Sequence, residues 1–198
     1  MNTLNLRLFY LINASSRPIP FVVEMAHIFA VYAIWLAPLA LISGWLRGND
    51  VLRHHMVEAA LSTGVALVAA QIIGIAWPQQ RPFVLGLGTN LMAHSPDASF
   101  PSDHLTCLWG AAFSLLAYKR TRPIGTALAL LGIPVSWSRI YLGVHFPMDI
   151  VGAAVVSGLS AWVLANTGRR PVQFIVAVTS HVYRPMFKIL IQRGWVSP

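Results

Sequence analysis

Ser138-Arg139-Ile140-Tyr141-Leu142-Gly143-Val144-His145-Phe146-Pro147-Met148-Asp149 places a hydroxyl, a guanidinium, an imidazole and a carboxylate between two apolar runs of the chain. Polar groups this close to membrane-like sequence usually mark a functional site. His145 and Asp149 are four positions apart, so on a helix that begins near Pro147 they share one face, and the carboxylate can hold the imidazole in one tautomer. Taken alone, the segment fits a hydrogen-bonded histidine at an acidic helix start. With polar partners elsewhere in the chain, it predicts a nucleophile or base.

The composition around this segment indicates an integral membrane protein. Of the 198 residues, 56% are hydrophobic and 10% are charged, and the mean hydropathy is +0.63, which is too apolar for an ordinary soluble domain. The basic residues behind the net charge of +8 lie mostly in short loops, so nucleic acid is not an expected partner. The single cysteine, Cys107, excludes an intrachain disulfide and a multi-cysteine metal site. Without a repeat or low-complexity segment, residues 1–198 are predicted to form one domain.

Apolar runs separated by polar breaks predict an all-α bundle of about five membrane spans, with an interfacial helix at each end of the chain. A polar hinge over residues 47–55, with His54 and His55 as loop residues, joins the first two spans. The predicted elements are an N-terminal interfacial helix over 1–13, spans over 21–46, 59–77, 105–118, 124–137 and 146–165, and a C-terminal surface helix over 172–191.

The connection between the second and third spans, residues 78–101, is rich in proline and glycine. Structureless loops of this length are usually functional. Ser102 directly follows the connection and is the predicted N-cap of the third helix, which puts Asp103 and His104 in its first turn.

Two ionisable residues occur inside the first span. Glu24 and His27 are three positions apart near its beginning. They are expected either to pair with each other or reach the headgroup layer, or to face the polar site.

Alternating spans place four polar groups on one membrane face. Arg81 follows the second span, Ser102 to His104 open the third, Arg139 follows the fourth and His145 opens the fifth. Two guanidiniums, a hydroxyl and the free N–H groups of a helix start suit a tetrahedral phosphate. Two histidines add the means for phosphoryl transfer, since one can attack phosphorus and the other can protonate the leaving oxygen. The sequence contains neither a nucleotide-binding loop nor an acidic cluster suited to magnesium, so a reaction without metal or cofactor is predicted.

Three motifs occur in order along the chain: Arg81-Pro82, Pro101-Ser102-x-His104 and Ser138-Arg139-x5-His145-x3-Asp149. They resemble the three signature motifs of the type 2 phosphatidic acid phosphatase (PAP2) superfamily. The resemblance implies that His145 forms a phosphohistidine, that Asp149 orients it and that His104 protonates the leaving group. It also implies that the phosphate oxygens are held by Arg81, Ser102, Arg139 and the backbone at Asp103 and His104.

The chain size, the sequence Phe-Pro-Ser-Asp-His and the sequence Arg-Gly-Trp-Val near the C-terminus resemble the bacitracin-resistance undecaprenyl-diphosphate phosphatases of this superfamily. Gly74 stands where the first family motif has lysine, and Asp103 stands where the second motif commonly has glycine. The bacitracin-resistance branch resembles this chain at both positions. The resemblance implies hydrolysis of undecaprenyl diphosphate, with polyprenyl diphosphate and membrane lipids as partners and no cofactor. The alternatives are transfer of the phosphate to another lipid, hydrolysis of another lipid phosphate, and a non-enzymatic membrane component.

The distribution of basic residues predicts which side of the membrane carries the motifs. Of the 14 Lys and Arg residues, ten lie on the opposite face or on the C-terminal tail, and four lie on the motif face. The positive-inside rule therefore predicts a protein of the bacterial plasma membrane whose motifs face the periplasm or cell exterior. The ten are Arg47, Arg53, Lys119, Arg120, Arg122, Arg169, Arg170, Arg184, Lys188 and Arg193.

Overall fold

The computed structural model describes residues 3–197, and every regular element within this range is a helix. The predicted all-α class is therefore confirmed for this part of the chain. The helices are α1 (Thr3–Ile12), α2 (Pro20–Val31), α3 (Leu36–Arg47), α4 (Asp50–Ala76), α5 (Asp103–Leu116), α6 (Arg122–Tyr141), α7 (Pro147–Thr167), α8 (Arg169–Met186) and α9 (Lys188–Gln192).

Within the described residues, three stretches are long and apolar enough to cross a membrane. They are Pro20–Arg47 with 28 residues, Asp50–Ala76 with 27 and Pro147–Thr167 with 21. A hydrocarbon core of about 30 Å requires a helix of about 20 apolar residues, and each stretch reaches that length. The protein is therefore a membrane protein. The predicted spans over 105–118 and 124–137 correspond to α5 and α6, which are not among the three.

The first predicted span contains a break that its apolar pattern does not reveal. α2 ends at Val31, a 3-10 turn covers Ala33–Trp35, and α3 begins at Leu36. Pro38 lies in the first turn of α3, where it cannot donate a backbone hydrogen bond and its ring crowds the preceding turn. The tighter 3-10 turn accommodates this proline within the 28-residue stretch.

The hinge predicted over residues 47–55 is shorter than expected. α4 begins at Asp50, and the Asn49 side chain accepts a hydrogen bond from Leu52 N at 3.1 Å. An asparagine cap followed by an acidic first turn starts a helix efficiently. His54 and His55 therefore lie within α4, and the prediction that they are loop residues is wrong.

α5 is the central helix of the bundle, because it packs against α4, α6 and α7. Its approach to α4 requires Gly110, since a Cβ atom there would lie 2.9 Å from the Thr63 Cα. With 14 residues, α5 is about 21 Å long at about 1.5 Å per residue. Its buried apolar side chains are Leu105, Leu108, Ala111, Ala112 and Leu115.

Hydroxyl groups join α7 to the helices behind it. Ser157 Oγ donates to the Thr106 carbonyl in α5 at 3.2 Å, and Ser160 Oγ donates to the Ser62 carbonyl in α4 at 2.7 Å. Small residues allow helices to approach closely in apolar surroundings, and these bonds satisfy their hydroxyls there. These contacts fix the middle of α7 against the beginning of α5 and the middle of α4.

The terminal helices cover the ends of this core. In α1, Phe9 is fully buried with its ring 5.2 Å from that of Phe146, and the Asn5 side chain accepts a hydrogen bond from Met148 N at 3.0 Å. α1 therefore packs on the start of α7. The predicted C-terminal helix over 172–191 is divided at Phe187 into α8 and α9.

Candidate active site

His145 lies in the short turn that joins α6 to α7. α6 continues to Tyr141, so Arg139 belongs to its last turn rather than to the connection after it. Gly143 then adopts a φ of 79°, a left-handed conformation that glycine reaches without steric cost. The turn brings Val144 N to the Arg139 carbonyl at 3.1 Å. It leaves His145 only 1% exposed.

The carboxylate of Asp149 holds one side of the His145 imidazole. Its Oδ2 atom lies 3.2 Å from His145 Nδ1 and accepts a hydrogen bond from Phe146 N at 2.8 Å. The Ser99 hydroxyl also donates to this oxygen and lies 3.4 Å from His145 Nδ1. Because a carboxylate only accepts hydrogen bonds, Nδ1 carries the hydrogen and Nε2 keeps a free lone pair.

The other side of the imidazole faces hydrogen-bond donors. His145 Nε2 lies 3.1 Å from Arg81 Nη1, 3.3 Å from Arg139 Nη2 and 3.3 Å from Ser102 Oγ. All four side chains are buried. Guanidinium groups bind phosphate oxygens through directed N–H bonds. A phosphate at this position would therefore contact both arginines while its phosphorus faced Nε2.

Arg81 lies in the loop before α5, residues 77–102, and is held by other residues of this loop and by the turn after α6. Its Nε donates to Asp97 Oδ1 at 2.8 Å, its Nη2 to the Ala98 carbonyl at 3.2 Å and its Nη1 to the Val144 carbonyl at 3.1 Å. Three bonds hold the planar guanidinium in one orientation, which a flexible ammonium group could not copy. The loop that supplies two of these bonds is therefore part of the site.

Arg139 is held by His94 of the same loop. Its Nη2 lies 2.9 Å from His94 Nε2, and His94 Nδ1 lies 3.2 Å from the Ser95 carbonyl. A carbonyl only accepts, so Nδ1 carries the hydrogen and Nε2 accepts the bond from Arg139. Burial, and then the positive charge of Arg81, lowers the pKa of His94 and favours this neutral form.

The surroundings also keep His145 uncharged. Burial first, and then the charges of Arg139 and Arg81, lowers the pKa of His145 well below the usual value of an imidazole. Only the neutral ring has a lone pair available for attack on phosphorus. The geometry thus presents an unprotonated nitrogen to two guanidinium groups at neutral pH.

The first turn of α5 borders the same position. Ser102 is its N-cap residue, as predicted, and the Ser102 N–H donates to the Asp149 carbonyl at 3.2 Å. Helix starts leave N–H groups without helical partners, and such groups bind anions. His104 lies in the same turn, directly after Asp103.

The Asp103 side chain is directed to α4. Its Oδ1 accepts a hydrogen bond from Gln71 Nε2 at 2.9 Å. Both residues line a cavity of about 310 Å³ together with Gly74, which stands where the first PAP2 motif has lysine. The carboxylate therefore has a partner of its own, and Asp103 can contribute to phosphate binding only through its backbone.

The structure brings the predicted site residues together at one end of the bundle. Four side chains contact His145 directly, namely those of Arg81, Ser102, Arg139 and Asp149. Asp103 and His104 lie in the adjoining turn of α5.

Sequence reasoning missed three residues that hold these groups, namely His94, Asp97 and Ser99. They lie in the connection 78–101, whose length predicts a function without indicating which of its side chains carry it. Their polar character immediately before the Pro101-Ser102 motif was the available signal.

Glu24 and His27 lie outside this group. His27 Nε2 is 3.1 Å from the Leu91 carbonyl, and Glu24 is exposed. Among the described residues, no ion pair joins these two, and neither shares a hydrogen bond with His145 or the two arginines. His27 instead fastens the loop that carries His94.

Comparison with known proteins gives the same family as the motifs. Residues 55–172 match the PAP2 superfamily. YbjG of Escherichia coli (strain K12), provisionally named an undecaprenyl-diphosphatase, is 34% identical over 99% of this chain and 98% of its own. The undecaprenyl-diphosphatase BcrC of Bacillus subtilis (strain 168) is 39% identical over 64% of each chain.

The fold is similar to that of a solved structure. The crystal structure of Aquifex aeolicus LpxE superposes with a TM-score of 0.64 and 25% sequence identity, over 83% of this chain and 96% of that one. The sequence match covers more than half of the chain and includes every predicted site residue. The predicted family is thereby confirmed, and the chain belongs to the PAP2 superfamily.

Proposed function

We propose that this protein hydrolyses undecaprenyl diphosphate to undecaprenyl phosphate and phosphate through a phosphohistidine at His145. The observation that carries the proposal is the placement of the unprotonated Nε2 atom between Arg81 and Arg139, 3.1 Å and 3.3 Å away. Asp149 holds the opposite nitrogen. The names of YbjG and BcrC support undecaprenyl diphosphate as the substrate.

In the first step, the Nε2 lone pair of His145 attacks the terminal phosphorus. A nitrogen–phosphorus bond forms while the bond from phosphorus to the bridging oxygen breaks, and that oxygen takes the bonding electrons and a proton from His104. Arg81, Arg139, Ser102 and the N–H groups at Asp103 and His104 stabilise the charge on the phosphoryl oxygens. Asp149 stabilises the positive charge that develops on the imidazole.

In the second step, water replaces undecaprenyl phosphate next to the phosphohistidine. His104, now neutral, accepts a proton from the water as its oxygen bonds to phosphorus. The nitrogen–phosphorus bond breaks and its electrons return to Nε2, which restores the starting state. Both steps use side chains of this chain alone.

A cavity beside Asp149 supports a long isoprenoid chain as the apolar part of the substrate. It has a volume of about 890 Å³ and lies where α1, the loop before α5 and the start of α7 meet. Largely apolar cavities with few polar groups bind hydrophobic ligands. We place the isoprene units nearest to the diphosphate here. Its apolar lining includes Trp77, Leu85, Phe100, Phe146 and Met148.

For the membrane arrangement, we propose five crossings in a single domain of residues 1–198. The crossings are α2 with α3, α4, α5, α6 and α7, and α1 and α8 lie along the interface. The excess of basic residues on the opposite face supports a site that faces the periplasm or exterior of a bacterial plasma membrane. A site there would recycle the lipid carrier of cell-wall synthesis.

A phosphate-release assay on purified protein tests the substrate. We expect release from undecaprenyl diphosphate to exceed release from phosphatidic acid and phosphatidylglycerol phosphate, with His145→Ala as the inactive control. Among residues 3–197, no group of three or more His, Cys, Asp and Glu side chains could hold a metal ion, so activity should survive a chelator. Activity restored only by a divalent ion would contradict the metal-free reaction.

The same assay distinguishes the alternatives. Phosphate that appears only after an acceptor lipid is added would identify a phosphotransferase. Faster release from another lipid phosphate would change the substrate but not the reaction. No turnover of any lipid phosphate would favour a non-enzymatic membrane component.

A further inference from the structure

One nitrogen of Arg139 lies between two imidazole rings. Its Nη2 is 3.3 Å from His145 Nε2 and 2.9 Å from His94 Nε2. His94 belongs to the loop before α5, and its side chain is 18% exposed, whereas His145 is 1% exposed. His94 therefore lies between the buried nucleophile and the outside of the site.

The proposed reaction makes this position significant. The terminal phosphate of a diphosphate must lie against His145 Nε2, and in-line attack places the bridging oxygen on the side away from that nitrogen. The second phosphate then extends toward the outside of the site. A monophosphate ester has only an alkyl group there, so this region is where the two kinds of substrate differ.

We propose that His94 is a specificity-determining residue that binds the second phosphate of a lipid diphosphate and makes the site prefer diphosphates to monophosphates. This inference rests on the proposed function, because it assumes that His145 receives the terminal phosphate. His94 lies outside the three motifs that identify the family.

The charges around His94 allow it to change from acceptor to donor. The charged and titratable groups that face it are Arg81, Arg139, Asp97, His104 and His145. Without substrate, burial and the two arginines lower the pKa of His94. A bound diphosphate engages the arginines and adds negative charge, both of which raise that pKa. A protonated His94 can then donate from Nε2 to a phosphate oxygen.

His94→Gln is the variant that tests this role. The glutamine carbonyl can still accept a bond from Arg139, but the side chain cannot become a cation. With farnesyl diphosphate and farnesyl phosphate as probes, we expect kcat/KM for the diphosphate to fall about 10- to 100-fold, mainly through KM, as for the loss of a charged hydrogen bond. The diphosphate-to-monophosphate preference should fall with it.

The pH dependence supplies a second readout. Since the bound substrate raises the pKa of His94, the wild-type KM for the diphosphate should increase as the pH rises through that raised value. In His94→Gln this increase should be absent. The matched control is His27→Gln, because His27 fastens the same loop through the Leu91 carbonyl without touching the arginines. It should keep both the preference and the pH dependence.

Inhibition by inorganic pyrophosphate, relative to inorganic phosphate, measures the same contact without turnover of a lipid. His94→Gln should weaken inhibition by pyrophosphate more than inhibition by phosphate. Equal losses of kcat/KM on both farnesyl substrates would show that His94 only positions Arg139. Unchanged kcat/KM on both substrates would show that His94 does not contact the second phosphate. Either result overturns the inference while leaving phosphate release intact. Wild-type protein that hydrolyses neither substrate would instead overturn the proposed function.

Discussion

Ser99, in the loop before α5, donates its hydroxyl hydrogen to Oδ2 of Asp149 in α7. Both residues are buried, and Asp149 in turn holds the His145 ring. The same loop fixes Arg81 through Asp97. The orientation of the proposed nucleophile, His145, and that of the proposed phosphate-binding Arg81 therefore depend on one loop.

Ser99→Ala removes this donor and changes little else. Hydrogen bonds to charged groups contribute roughly 1.5–3 kcal/mol, so we expect kcat/KM for phosphate release to fall about 10- to 100-fold. Ser136→Ala is the matched control, since Ser136 Oγ donates to the Gly132 carbonyl of its own helix at 2.6 Å. Equal activity in the two variants would show that the Ser99 bond does not position Asp149.

His145→Ala should abolish turnover, because no neighbouring side chain can form the covalent intermediate at the same place. Asp149→Asn should leave residual activity, since the imidazole remains but loses the carboxylate that orients it. His104→Ala should reduce kcat by about 10²- to 10⁴-fold, the usual contribution of a general acid and base. Phosphate release and detection of acid-labile phosphohistidine measure these effects. Near wild-type release from His145→Ala would refute the assignment of the nucleophile.

Arg81→Lys and Arg139→Lys should each cause a large loss of kcat/KM although the charge is kept. An ammonium group cannot reproduce the three directed bonds of Arg81 or the bond from Arg139 to His94. The exposed Glu24 provides a control outside the site. Losses in Glu24→Gln as large as those in Arg139→Lys would place Glu24 in the site, contrary to its exposed position in the structure.

The parts of the fold that a sequence can predict are those with a local cause. α5 begins directly after Ser102 with the acidic Asp103 in its first turn, which is a local signal for a helix start, and most of each predicted span is helical. The sequence predicts too long a hinge because α4 begins at the Asn49 cap, several residues before its apolar pattern begins. Pro38 breaks the first span for a steric reason that hydropathy does not record.

The candidate site likewise contains residues that the sequence predicts and residues that it does not. Family resemblance predicts the site residues that stand in ordered motifs, namely Arg81, Ser102, Arg139, His145 and Asp149. The loop residues that hold them, His94, Asp97 and Ser99, lie outside these motifs. Their contacts depend on how a long irregular segment folds back onto the helices. His94 meets Arg139 across 45 positions of sequence, a separation at which neither helical nor strand periodicity gives information.

The membrane orientation can be tested in intact cells by labelling single cysteines after Cys107→Ala. Val84 lies in the loop near the site and is 40% exposed, and Arg120 lies in the exposed turn between α5 and α6. We expect Val84→Cys to react with an impermeant maleimide and Arg120→Cys to remain unlabelled until the cells are opened. The reverse pattern would make the site face the cytoplasm.

The hydrogen bond between Gln71 and Asp103 links two positions on different helices. The second family motif commonly has glycine where Asp103 stands, and glycine offers no side chain for Gln71 to bind. In an alignment of PAP2 chains, we therefore expect a polar donor at position 71 to accompany aspartate at position 103, and apolar residues to replace it where glycine is present. Independent variation would show that the bond is dispensable. If the two positions covary, a lineage can gain or lose this aspartate only by changing both helices.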